Sequence, residues 1–210
     1  MKILLASAIS VAFFHALAPD HWLPFVALAR GSRWRMGQLA FITTLAGIGH
    51  VAFSLLIGMI GLWAGWAVHR LEGVEAWRGG VAIWLLIGFG VAYLLWGFKH
   101  AQHPHPHRSV QDVVRAYAAR RVWILIAILV FGPCEPLIPI MFLAYQGGIA
   151  TIVLVSAVFS LVTIAMIVGQ SCLSYAGVHL IQSDWMERYA HALAGAVIVA
   201  TGLLVLALGM

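Results

Sequence analysis

The chain has 210 residues, 63% of them hydrophobic and 9% charged, and its 12 Lys+Arg against 7 Asp+Glu give a formal net charge of +5. A soluble domain carries about 25% charged residues, so this composition, with a mean hydropathy of +0.98, excludes a water-soluble globular domain and marks an integral membrane protein. The basic excess is a topology signal, since no soluble basic face for nucleic acid is present, and two cysteines in apolar runs, Cys134 and Cys172, exclude a secreted disulfide framework.

A membrane span needs about 20 mostly apolar residues. Six segments qualify, at 3–28, 38–66, 80–98, 122–146, 149–173 and 189–209. Lys2 precedes the first, which carries small residues at Ala16 and Ala18, as a secretory leader does. Its apolar run continues past that point, which favours a span. Within it lies HALAPDHW, residues 15–22, where Pro19 and Pro24 flank Asp20 and His21. Proline removes a backbone donor and interrupts the helical ladder. Freed carbonyls at membrane depth are tolerated only against protein or a wet cavity. A broken first helix with Asp20 at the break is therefore expected.

The second segment is long for one crossing and predicts a tilted or protruding helix. His50 follows Gly47 and Gly49, glycines that let one helix approach another closely. Arg70 and Arg78 balance Glu72 and Glu75 in what reads as a second loop. After the third segment comes HAQHPHPH, with His100, His103, His105 and His107. Alternating His and Pro keeps the chain extended, as a metal-collecting tract or a solvated linker. VQDVVRAYAARR, residues 110–121, reads as a basic amphipathic helix on the membrane surface.

The fourth segment contains GPCEPLIP, where Pro133, Pro136 and Pro139 surround Cys134 and Glu135 and predict a second broken helix. By this division only Asp20 and Glu135 of the seven acids fall inside spans. A central Asp costs about 2.5–3.5 kcal/mol to insert, so such groups are functional candidates. The first and third loops carry most of the Lys and Arg, which predicts that they are cytoplasmic and that both termini lie outside.

The two halves repeat. Pro19, Asp20, His21 and Leu23 stand opposite Pro133, Cys134, Glu135 and Leu137. Thr44 and Ala46 stand opposite Thr163 and Ala165. After a one-residue shift, Gly49, His50, Ala52 and Ser54 stand opposite Gly169, Gln170, Cys172 and Ser174. Three spans per half is an odd number, so the halves are inverted, as in many secondary transporters with binding sites between the repeats. The fold expected is an all-α membrane protein of six transmembrane helices in two inverted three-helix repeats. Residues 1–98 form the first, 99–121 the His-rich cytoplasmic loop and surface helix, and 122–210 the second.

His15, Asp20, His21 and His50 together supply imidazole and carboxylate, ligands that suit divalent first-row transition metals. Structural hydrogen bonding and a metal-free proton relay remain open for the same residues. Glu135 and Gln170, which stands opposite His50, are candidates to complete the site or carry a coupled proton. Cys134 and Cys172 read as inert packing, as soft ligands or as a redox pair.

His15-x4-Asp20-His21 resembles the H-x4-D-H signature of the nickel/cobalt transporter family, and HALAPDHW is similar to its short urease-accessory-type, NicO-like permeases. Gly49-His50 followed by Ser54 is similar to the family's second-helix motif, and the histidine-rich loop resembles that of its efflux members. The uptake members usually have eight helices, against the six expected here. GPCEPLIP instead resembles the first-helix motif of disulfide-reductase membrane domains and the broader lysine-exporter-like superfamily.

The resemblance implies a secondary transporter, not an enzyme, moving nickel or cobalt, or zinc, across the cytoplasmic membrane. His15, Asp20, His21 and His50 would bind the ion, and His100, His103, His105 and His107 would gather it on the cytoplasmic side, which favours export. No permanently bound cofactor is implied. The lipid bilayer and the ion are the expected partners, with a homo-oligomer or a metalloenzyme maturation partner as further candidates. The alternative is a membrane thiol–disulfide relay through Cys134 and Cys172. A metal-delivery subunit without flux is a third reading.

Overall fold

In lipid every backbone polar group must be satisfied internally, which a helix does within one segment. The computed structural model, which describes residues 1–65, 68–102, 111–132, 134, 136–179 and 189–208, is all-α. Helix α1 (Lys2–Ala16) ends just ahead of Pro19. That proline holds Ala18 in extended backbone, φ −54° and ψ 128°. A single 3-10 turn, Pro19–His21, follows, and α2 (Leu23–Gly31) starts with Pro24 in its first turn, where a missing N–H costs nothing. The two parts are bent by 72°. The expected break at Asp20 is present.

Helix α3 (Met36–Trp63) opens with the Arg35 N–H donating to Gln38 Oε1 at 2.9 Å. Its 28 residues reach about 42 Å at 1.5 Å per residue, more than the roughly 30 Å hydrocarbon core. Helix α4 (Val68–Gln102) is longer still. Helix α5 (Gln111–Phe131) is continuous, so the expected surface helix and the start of the fourth apolar segment are one element. A second break separates α5 from α6 (Leu137–Tyr145), and α7 (Ile149–His179) and α8 (Ala190–Leu208) complete the chain.

Among the described residues, four helices are long and apolar enough to cross a membrane, and the bent pair α1–α2 makes a fifth if taken as one span. The sequence led us to expect six. The segment 122–146 divides at the second break, and neither of its parts meets that criterion of length and apolarity. Large apolar side chains such as Ile3, Phe14, Phe41, Trp63, Leu161 and Leu173 cover the outside. That surface suits lipid, so the chain is a multi-pass membrane protein.

The largest departure from the sequence reading lies in α4. Arg70, Glu72, Glu75 and Arg78 belong to this helix and not to a loop. Glu75 is fully buried and Arg78 nearly so. They form an ion pair across one helical turn, where residues three apart share a face. The Arg78 guanidinium also donates to three carbonyls at the end of α5: Nε to Phe131 at 3.1 Å, Nη2 to Val130 at 3.1 Å and Gly132 at 3.0 Å. A helix end leaves its last carbonyls without intrahelical partners, and Arg78 supplies those partners inside the bundle. Glu75 Oε2 accepts the Cys134 N–H at 3.0 Å and the Ser54 hydroxyl at 3.3 Å. Arg78→Ala leaves the Glu75 charge buried and unpaired. The expected cost is about 3–5 kcal/mol, measured as a lower melting temperature in detergent; an unchanged melting temperature would contradict the buried pair.

Helix α4 packs along α8 with backbone approaching backbone. A Cβ added at Gly97 would strike the Ala192 backbone, and one at Gly195 would strike the Leu94 backbone. Gly90 and Gly97 on α4, like Gly195 and Gly202 on α8, are spaced one heptad apart, so they fall along one seam. Small residues are what allow such contact in a membrane, where apolar side chains gain nothing by leaving lipid.

Candidate metal centre

The first break brings His15 and His21 together. In an unbroken helix, positions six apart would stand about 9 Å along the axis and point roughly 120° apart. Here the chain turns at Pro19, and the two imidazole centroids lie 4.6 Å apart. Helix α3 adds His50, 5.0 Å from His21 and 5.8 Å from His15 by ring centroids. His21 and His50 are buried. All three, with Asp20, line a cavity of about 570 Å³ whose other walls come from α2, α4, α5 and α8.

Hydrogen bonds orient two of the rings. His50 Nδ1 lies 2.9 Å from the Leu129 carbonyl oxygen. A carbonyl only accepts, so Nδ1 carries the proton and donates it, leaving Nε2 with a bare lone pair. His21 Nδ1 lies 3.0 Å from Asp20 Oδ1, and an ionised carboxylate assigns the same tautomer there. Asp20 thus stands behind His21, in the position of the carboxylate that backs a metal-ligating histidine.

The Nε2 atoms of His15, His21 and His50 are all buried without a hydrogen-bond partner. Leaving a buried polar group unpaired costs about 1–3 kcal/mol, and three at one place call for a common explanation. A bound cation accepting the lone pairs of His15 and His50 supplies one for two of them; His21 and Asp20 fall outside the group of ligand atoms close enough to share an ion. Cys134, buried at the second break, adds sulfur: ligand atoms of His15, His50 and Cys134 lie within 4.8 Å of one another. Tetrahedral zinc holds nitrogen at about 2.0–2.1 Å and sulfur at about 2.3 Å, so closing on an ion requires only a modest contraction.

The remaining candidates fall elsewhere. Gln170 on α7 donates from Nε2 to the Ala16 carbonyl at 3.1 Å, supporting the end of α1. Cys172, also on α7, is partly exposed and outside the His15–His50–Cys134 group, and both cysteines are free thiols. His100, exposed near the end of α4, stacks on Trp96 with centroids 5.0 Å apart. Glu135, His103, His105 and His107 lie outside the described residues.

Two polar residues at the second break escaped the sequence reading. Glu75 and Arg78 looked like loop charges, yet their spacing three apart, leading into an apolar run, is the signal of a paired helical face. Comparison of the chain with protein-family models, with curated proteins and with solved structures returned no match.

Proposed function

We propose that the chain is a secondary transporter that carries a divalent transition-metal ion across the cytoplasmic membrane. The observation that carries this reading is the group of His15, His50 and Cys134, whose ligand atoms lie within 4.8 Å of one another at a cavity that both histidines line. Imidazole donors, with sulfur in reach, suit nickel, cobalt and zinc better than magnesium or calcium. Nickel and cobalt are the preferred substrates by the resemblance of His15-x4-Asp20-His21 to the nickel/cobalt transporter family.

Two inverted three-helix halves would supply alternating access, one half rocking against the other around a fixed site. The polar contacts support that arrangement. His50 of the first half bonds the Leu129 carbonyl near the end of α5, and Gln170 of the second bonds the Ala16 carbonyl at the end of α1. These two residues stand opposite each other in the sequence repeat, and each supports the other half's broken helix. Helix contacts exchange similarly: α1 packs on α7, and α5 on α3. Both termini outside and loading from the cytoplasmic histidine loop complete the proposal, with export as the direction.

Asp20→Asn keeps an acceptor near His21 but removes the charge that supports its tautomer. Loss of an outer partner typically lowers metal affinity about 10–100-fold. Cells expressing the variant should lose transport at limiting metal and regain it at high metal. The check is cellular content of manganese, iron, cobalt, nickel, copper and zinc, beside wild type. Equal transport at limiting metal would sink this reading.

A further inference from the structure

Cys134 stands in the break between α5 and α6, where prolines leave the chain without a helical ladder to hold it. Its position is instead set from α4. Glu75 Oε2 accepts the Cys134 N–H at 3.0 Å, and Arg78 Nη2 donates to the Gly132 carbonyl at 3.0 Å. Two further Arg78 bonds, to Val130 and Phe131, fix the preceding turn. The two side chains pair with each other, so the clamp is neutral as a unit and adds no net charge beside the cavity.

We propose that the buried Glu75–Arg78 pair is the positioning element that holds the Cys134 sulfur within reach of His15 and His50, so that it binds the transported ion as a ligand supplied by the second half of the chain. This rests on the transport reading above and narrows its substrate class. Sulfur among imidazoles favours borderline, thiophilic divalent ions over hard ones such as manganese or magnesium. The ion would also bridge the two halves, because His15 and His50 belong to one and Cys134 to the other.

The test uses full-length protein in detergent, in a Cys172→Ser background, with cobalt(II) alone as the probe. The parent should show both ligand-field absorption and a sulfur-to-cobalt charge-transfer band. Cys134→Ser should lose the second and keep the first. Arg78→Lys keeps the charge but loses the planar fork, and Glu75→Gln keeps the shape but loses the charge. Each should lose most of the charge-transfer intensity, retain histidine-derived ligand-field absorption and bind cobalt about 10–100-fold more weakly. Where either variant yields no monodisperse protein, Ser54→Ala removes only the hydroxyl that donates to Glu75 and accepts from Arg78, and should show the same loss in smaller measure. Cobalt bound by the parent without a charge-transfer band overturns the inference, as does a band unchanged in the folded α4 variants. No cobalt binding by the parent sinks the transport reading itself.

Discussion

His50→Gln should abolish tight metal binding while leaving the protein folded. The two ring nitrogens of His50 differ: Nδ1 donates to the Leu129 carbonyl, and Nε2 is buried without a partner. Glutamine can keep the first, as Gln170 does for the Ala16 carbonyl in the other half. It cannot supply the imidazole lone pair. Loss of an outer partner alone costs about 10–100-fold in affinity, so loss of a ligand should raise the cobalt Kd by more than about a hundredfold. Titration of purified variant and wild type measures this, with melting temperature as the control for fold. An unchanged Kd would remove His50 from the site. A collapsed melting temperature would show that the imidazole is structural.

Gly195→Ala should be among the most damaging single-methyl changes in the chain, and Gly88→Ala one of the mildest. At Gly195 the added Cβ would meet the Leu94 backbone, which cannot rotate aside as a side chain could. Overpacking usually costs about 1–3 kcal/mol, and a collision with backbone belongs at or above the top of that range. At Gly88, on α4 itself, nothing lies within 4 Å of the added carbon. There alanine should gain up to about 1 kcal/mol from its better helix propensity. Opposite shifts in melting temperature for the same chemical change would verify the α4–α8 seam. Equal shifts would refute close backbone contact there.

Much of the architecture was legible in the residues. Apolar runs located the helices, and Pro19 and Pro24 located the first break, because proline acts through local covalent geometry. His15, His21 and His50 were legible as candidates because imidazoles stand out in apolar segments. The roles within the set were not. Asp20 reads as a ligand in one dimension; in space its carboxylate faces His21 Nδ1. Gln170 reads as a coupling residue and instead supports the end of α1. Glu75 and Arg78 read as loop charges because a hydropathy window penalises each charge singly, and a pair that cancels across one turn is invisible to it.

The sequence by itself determined the solvent: 9% charged residues mark a lipid-embedded chain, and apolar runs of about 20 residues mark its spans as helices. It also determined where the first helix had to break. Tertiary structure alone decided what fills the breaks. His50 reaches 79 positions along the chain to Leu129, and Cys134 reaches 59 back to Glu75. Such pairings depend on which helix faces lie against each other, and those follow from side-chain volume and from the glycine seam between α4 and α8. No local pattern encodes them, so the partners of each buried polar atom emerge only when the bundle closes.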